Sequence, residues 1–457
     1  MTEPASSPED PVRAAHRATR PAYINPDDIP RELERLFPEE TIEHLARETE
    51  FIQRERIVHP VAFFWSLVLG FGIQVQRTLA ALRKGYIKMS GDEIVQSSWH
   101  GRFTPALVGF LRACVLHALQ QTAGNVVRQL DDRLQRFKDV IINDTTVIRL
   151  HASLAKRWPA TRSRVAAAGI KVGLLISAVA NGPKNVTVHS ERTPEIKTLR
   201  VVAWVKDRIL LFDLGFYKFQ LFTRIKENGG FFVSRMRGNG DPLFLRSLKA
   251  HRGQAIDLAG KRWKDVKSRL TREVLDAEVE VAFRRRRYRG KQSWDTLVLR
   301  LVGVIDEKTG EYHVYLTNIP PEILTAEEVA ALYRVRWEVE LVFKELKSQY
   351  ALDQIKTEKP FAVLGLIWTA ILTLIVSRRL YGLLLRSVPR ELAPRYTPLR
   401  WAGVFIEAGN LLVDGMMERI GFEKTGRGDF SRVAWFWEVE GLDPHIKRHR
   451  LREGWYV

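Results

Sequence analysis

The chain has 457 residues, 45% of them apolar, which is enough for two to four folded domains with sizeable cores and excludes a disordered tail. A formal charge of +19 with a pI near 10.0 suits a polyanion, because each phosphate neutralised by Lys or Arg releases counterions; a membrane surface or an acidic protein would also be served. Cys114 is the single cysteine, which excludes an intramolecular disulfide framework and a cysteine-based zinc site and suits a reducing cytoplasm.

The charge is uneven. The first fifty residues carry twelve acidic and six basic side chains, so the rest of the chain carries +25. Seven of the 20 prolines fall in the first forty positions, which predicts a flexible leader over residues 1–37 with little order before Asp28. MTEPASSPEDPVRAAHR has no apolar stretch of the kind a secretory signal needs. Residues 38–136 read as helical: IEHLARETEFI, VAFFWSLVLGFG and PALVGFLRACVLHALQQ are separated by GYIKMSGDE and SSWHGRFTP, and a charged helix follows over Val127 to Arg136.

The pattern then switches to strands. Segments 140–150, 172–180, 184–190, 208–216 and 231–237 are β-branched or aromatic, with helical stretches at 194–206 and 217–228. This succession predicts an α/β domain with a mixed sheet over 137–237. Residues 238–325 interrupt it with EVEVAFRRRRYRG, TLVLRLVGVID and EYHVYLTNI, the last two joined by a turn at EKTG, and read as a separate β-rich insertion. Residues 326–386 return to the α/β domain. Within them Phe361 to Ser377 is uncharged for 17 residues, at the lower limit of a membrane span, and reads as a buried helix packed on the sheet. Residues 387–457 are helical and basic. No internal repeat is present.

The helix predicted over Leu332 to Tyr350 carries an unusual column. Tyr333, Arg336, Glu340, Lys344 and Lys347 recur at steps of three and four and share one stripe, beside an apolar stripe of Leu332, Val339, Phe343 and Leu346. Asp144 lies in an apolar strand, where a carboxylate is costly unless paired or metal-bound; it reads as functional or as a turn aspartate before Thr145 and Thr146. Asp213 ends the strand RILLF, where α/β sheets carry ligands.

The spacing Tyr333-x2-Arg336-x3-Glu340-x6-Lys347, with Trp337 after the arginine, resembles the Y-R-E-K signature of bacterial insertion-sequence transposases of the DDE type. Asp144-Thr145-Thr146 is similar to the first aspartate motif of that family, and Asp213-Leu214-Gly215-Phe216 to the second. Helices 38–136 resemble the family's N-terminal DNA-binding region, although an ordinary helical bundle has the same pattern. The resemblance implies a ribonuclease H-like core and a catalytic, metal-holding triad of Asp144, Asp213 and Glu340. Such a triad suits two divalent cations about 4 Å apart. Oxygen ligands without Cys or a suitably spaced His pair favour Mg²⁺, with Mn²⁺ as a substitute.

The resemblance also implies double-stranded DNA as partner, element ends and target alike, and a homodimer or larger assembly on it, with no membrane. Tyr333, Arg336 and Lys347 are the implied contacts to transposon-end DNA, and Lys344 is a nonspecific phosphate contact or solvated. Arg285 and Arg287, within the run Arg284 to Arg289, are candidates to follow a DNA backbone, against the alternative of a solvated strand face. Relatives that cleave through a hairpin use an insertion-domain Trp for a flipped base; Trp263 and Trp294 are candidates, and core packing is the other reading of each. Lys171 reads as preceding a strand, where it could reach DNA or be structural or solvated. Two other functions share the pattern: a nuclease without strand transfer, and a catalytically silent domesticated DNA-binding protein.

Overall fold

A computed structural model of the chain describes residues 23–53, 58–71, 78–122, 127, 129–161, 167–250, 256–285, 289–306, 309–422 and 428–444. They divide into two units: a helical one, from residues 1–121 and 345–454, and a sheet unit, from residues 122–344 with 455–457.

The N-terminal part of the helical unit contains α1 (Asp28–Leu36), α2 (Glu39–Glu48), α3 (Pro60–Gly70), α4 (Leu79–Ser90), α5 (Gln96–Gly101) and α6 (Pro105–Thr122). Residues 1–22 of the expected leader lie outside the described residues, and its last part is ordered: α1 buries Ile29, Leu33 and Leu36, an i, i+4, i+7 face. The polar separators are also partly helical. GYIKMS completes α4 and SSWHG lies in α5, because Tyr86 and Trp99 are fully buried and tilt against each other at 5.6 Å. Instead of the charged helix expected up to Arg136, the structure has a 3-10 turn at Asp132–Leu134.

The sheet unit is built on β1 (Asp139–Leu150), β2 (Ala168–Ser177), β3 (Gly182–Ser190), β4 (Arg208–Phe212) and β5 (Phe231–Arg235). Where a helix was expected over 194–206 there are two 3-10 turns, Glu195–Lys197 and Ala203–Val205; the second helix is α7 (Phe219–Glu227). Four further strands follow: β6 (Leu243–Ser247), β7 (Val274–Arg284), β8 (Trp294–Ile305) and β9 (Tyr312–Thr317). All nine form one sheet in the order β3-β2-β1-β4-β5-β9-β8-β7-β6. β1 runs antiparallel to β2 and parallel to β4, which is parallel to β5. That five-strand succession is a ribonuclease H-like core.

The inserted strands are not a separate body. β9 pairs antiparallel with β5 through Val233↔Thr317, Ser234↔Leu316 and Arg235↔Tyr315, so the insertion extends the core sheet. One apolar cluster covers both parts, joining Ile141, Leu210, Phe212 and Phe232 to Leu275, Val279, Leu299 and Leu316. α7 closes it with Leu221, Phe222 and Ile225, and Phe222 stacks on Phe232 at 4.2 Å. The EKTG turn lies partly outside the described residues; Gly310 closes it at φ +69°, a conformation glycine adopts without strain, with its N–H donating to the Asp306 carbonyl.

The expected single signature helix is four segments: α8 (Ala326–Arg334), a 3-10 turn Val335–Trp337, α9 (Glu338–Lys344) and a π-helical turn Glu345–Gln349. α8 starts with a capping box, Thr325 with Glu328, and lies on β5, β7 and β8. Beneath it Arg300, buried with Asp276, donates to both Asp276 oxygens at 2.8 and 2.6 Å and to the carbonyls of Ile319 and Leu324.

The chain passes into the helical unit after Lys344. There α10 (Pro360–Ser387), α11 (Pro398–Glu407), α12 (Gly409–Arg419) and α13 (Phe430–Glu440) complete the bundle. The apolar run from Phe361, expected to return to the α/β domain, is the core helix of the helical unit: α10 packs on α1 and α3, and Thr373 Oγ1 donates to the Val68 carbonyl at 2.8 Å. α10 is long and apolar enough to cross a membrane, yet 83% of its most apolar stretch is covered by protein, as a helix hydrophobic all round requires. Buried Glu345 is neutralised by Arg378 and accepts from the Tyr350 hydroxyl at 2.9 Å.

Removing one partner of the buried Arg300–Asp276 pair leaves an uncompensated charge. Arg300→Ala is expected to lower stability by about 3–5 kcal/mol in urea unfolding, and Arg300→Ala with Asp276→Ala by less than the sum of the two single losses.

Candidate active site

The sheet brings the two aspartates together through strand register. β1 and β4 are parallel neighbours, about one strand spacing (~4.8 Å) apart, with Asn143 opposite Phe212, so Asp144 and Asp213 are the residues that follow the last pair on the two strands. β4 ends at Phe212 while β1 continues against β2, with Asp144 opposite Leu174. The pair thus sits at the carboxyl end of β4, where the sheet opens. Both residues are partly buried.

Arg336 connects Asp144 to the helical segment. Its guanidinium lies 3.4 Å from Asp144 Oδ2 and donates to Glu340 Oε1 at 2.8 Å, with side-chain exposures of 14% for Arg336, 16% for Asp144 and 36% for Glu340. Asp144 Oδ1 accepts from the Thr145 N–H at 2.7 Å. Tyr333 fixes the segment's approach: its hydroxyl donates to the Phe212 carbonyl, immediately before Asp213, at 2.9 Å, and its ring meets Tyr315 at 5.0 Å. Arg336 lies 5.8 Å from the centre of the same ring.

The electrostatics follow from burial. Asp144 is pushed up to about 6, first by burial and then by the charges of Asp213 and Glu195, against the Thr145 N–H and Arg336, which hold it down. Burial pushes the Tyr333 phenol up to about 12, so it stays a protonated donor. Burial lowers Arg336, but Glu340, Tyr333, Asp213 and Asp144 outweigh it and leave the guanidinium raised. Among the described residues no three acidic, His or Cys side chains close on one point as a metal site; Asp144 and Glu340 instead share Arg336.

The other expected residues are differently placed. Tyr333 is buried and bonded inward, so a phosphate hydrogen bond is not available to its hydroxyl here. Lys344 is exposed at the end of α9, and Lys347 lies on the π-helical turn of the helical unit, so the 3.6-residue stripe does not continue to it. Arg285 is held by Asp295 across the β7–β8 hairpin, with bonds of 2.8 and 2.6 Å, and Arg287 lies outside the described residues. Trp263 is in the core, whereas Trp294 is 64% exposed with Arg284 5.2 Å from its ring centre, against the core-packing reading. Lys171 is inside β2 rather than before a strand, and donates to the Thr193 carbonyl at 2.9 Å.

Glu195 is the residue that sequence reasoning missed. It accepts from Thr145 Oγ1 at 3.1 Å and lies 3.9 Å from Lys171 Nζ. Nothing in ERTPEIK distinguishes it from Glu191, which is buried against Arg149 instead.

A ribonuclease H-like sheet with acidic groups where β4 ends defines a class of metal-dependent enzymes acting on nucleic acid phosphodiesters. Residues 135–376, over half of the chain, match the family described as transposase DDE domain, and the chain belongs to that family. It is 22% identical over 383 residues to the transposase for insertion sequence element IS1151 of Clostridium perfringens, covering 76% of this chain and 79% of that protein. It is likewise 22% identical over 365 residues to the transposase for insertion sequence element IS231F of Bacillus thuringiensis subsp. israelensis, with 72% and 74% covered. The chain is accordingly a DDE transposase, a DNA-acting enzyme of a divalent-metal-dependent family. A solved piggyBac transposase synaptic complex with hairpin DNA is matched over 92% of this chain and 86% of that one, at a TM-score of 0.43 and 10% identity.

Asp144 offers a pH test. Its folded-state value of about 6 lies above the ordinary carboxylate value of about 3.9, so folding favours the protonated form. The associated stability is full at low pH and lost as pH rises through about 6. Asp144→Asn is therefore expected to raise the thermal midpoint of metal-free protein at pH 8, with the gain fading as pH is lowered toward about 4.

Proposed function

We propose that this transposase binds the terminal inverted repeats of an insertion sequence, cleaves the strand at each end and transfers the new 3′ end to target DNA. Asp144, Asp213 and Glu340 are the catalytic carboxylates in this reading and would hold two Mg²⁺ ions, with Mn²⁺ as a substitute. The observation that carries it is Arg336, paired at once with Asp144 and Glu340 beside Asp213. Carboxylate oxygens are hard donors suited to Mg²⁺, and the upward push that Asp213 and Glu195 exert on Asp144 marks negative charge that a cation would offset. When bound, such ions supply activation of a water or 3′-hydroxyl and stabilisation of the leaving oxygen in an in-line displacement.

The chain's own residues do the positioning. Strand register aims Asp144 and Asp213, and the Tyr333 bond to the Phe212 carbonyl holds Arg336 and Glu340 over them. The Arg336 fork can exchange its carboxylate partners for a phosphate of the cleaved strand, which a lysine cannot match bidentately. Lys344 and Lys347 would contribute point-charge contacts to end DNA, and Arg285 and Arg287 contacts along the backbone. If excision proceeds through a DNA hairpin, exposed Trp294 is the side chain suited to hold an unstacked base. Two ends have to be joined, so the working form in this reading is a homodimer or larger assembly on DNA in the bacterial cytoplasm.

Asp144→Asn, Asp213→Asn and Glu340→Gln are each expected to reduce cleavage of a terminal-repeat substrate at least about a hundredfold while leaving repeat binding within a few-fold. A pre-cleaved end supplied with target DNA and Mg²⁺ should yield strand-transfer product with the wild type. Cleavage without any transfer would reduce the activity to that of a nuclease, and cleavage unchanged in all three variants would refute the triad.

A further inference from the structure

Between the two aspartates the structure contains a connection that neither belongs to the triad nor serves the apolar core. Thr145 directs its backbone N–H to Asp144 and its hydroxyl to Glu195. The Glu195 carboxylate is also 3.9 Å from Lys171, a lysine with a side chain only 10% exposed. On its other side Glu195 fills the space over Gly215, two residues after Asp213: a Cβ built on Gly215 would lie 1.5 Å from Glu195 Oε2 and 2.7 Å from its Cδ. The Glu195 backbone is itself fixed, since it opens a 3-10 turn after Pro194, and its carbonyl accepts from both the N–H and the hydroxyl of Thr198, at 2.8 and 2.6 Å. One carboxylate therefore touches the residue after Asp144 and the backbone that follows Asp213.

We propose that Glu195 is a positioning residue of the catalytic centre: held by Thr145 and Lys171 and seated on Gly215, it sets the position of Asp144 relative to Asp213, so that the two can share a divalent cation. This rests on the assignment of Asp144 and Asp213 as cation ligands. Glu195 reaches Thr145, on the strand face opposite Asp144, and acts through the backbone of β1 and of the turn after β4. β4 is only five residues long and ends at Phe212, so past that point no ladder bond to β1 restrains Asp213. Glu195 supplies a link there. Glycine at 215 permits this close approach, and an alanine methyl there would displace the carboxylate from Thr145 and Lys171.

The test is direct titration of the full-length protein with Mn²⁺, read by calorimetry, together with the Mg²⁺ concentration that gives half-maximal cleavage of a terminal-repeat substrate. Glu195→Ala is expected to weaken Mn²⁺ binding and raise the half-maximal Mg²⁺ concentration, each by about tenfold, the scale on which outer-shell partners act at metal sites. Glu195→Gln, which still accepts the Thr145 hydroxyl and fills the same space, should recover most of both. Thr145→Val and Gly215→Ala should shift both readouts in the same direction as Glu195→Ala, and they keep the test available if that variant does not fold. Cation binding and half-maximal Mg²⁺ unchanged in Glu195→Ala, with only a lower thermal midpoint, would make Glu195 a structural residue and overturn the proposal. Asp144→Asn and Asp213→Asn serve as controls: if both retain wild-type Mn²⁺ binding, the triad assignment fails, whatever Glu195 does.

Discussion

A guanidinium shared between two carboxylates is the interaction on which this candidate site depends. Arg336 is nearly buried, and so is Asp144, so neither charge could be carried there alone. Pairing Arg336 with Asp144 and Glu340 lets a strand and a helical segment present like charges at the same place, where Asp213 already adds a third acid. Even so, burial raises the carboxyl of Asp144 toward neutrality, with Asp213 and Glu195 adding to it against the Thr145 N–H and Arg336. In the proposed reading a cation would relieve the carboxylates and leave the arginine able to take a phosphate oxygen.

The geometry of that pairing is built from distant parts of the chain. Parallel pairing of β1 with β4 aligns the aspartates, and the Tyr333 hydroxyl sets the segment carrying Arg336 and Glu340 on the last carbonyl of β4. α8, which carries Tyr333, rests on strands of the insertion as well as on the core, over the buried Arg300–Asp276 pair. The insertion is thus part of the platform on which the site is assembled. A core made of β1 to β5 alone would leave α8 without the β7 and β8 surface on which it also rests.

The tyrosine shows where pattern reading reaches its limit. Steps of three and four place Tyr333, Arg336, Glu340, Lys344 and Lys347 on one stripe only if the helix keeps 3.6 residues per turn. A 3-10 turn at 335–337 and a π-helical turn at 345–349 change the phase on either side of α9. Arg336 and Glu340 still meet, because they are four residues apart across a junction whose backbone stays helical in φ and ψ. Tyr333 instead turns into the protein, and Lys347 falls in a different unit.

Sequence alone determined the family, the alternation of elements that makes a ribonuclease H-like core, and the acids worth considering. Motif spacing and hydrophobic periodicity are local properties, and a carboxylate in an apolar strand is conspicuous without any knowledge of its neighbours. Only the tertiary structure decided that the insertion continues the core sheet, since the pairing of β5 with β9 is a choice between segments far apart in the chain. It also decided that Lys171 is buried, that Trp263 is buried while Trp294 is exposed, and that Glu195 meets Thr145, next to Asp144. Each of these depends on through-space contact and charge, which strand register sets and residue order does not encode locally.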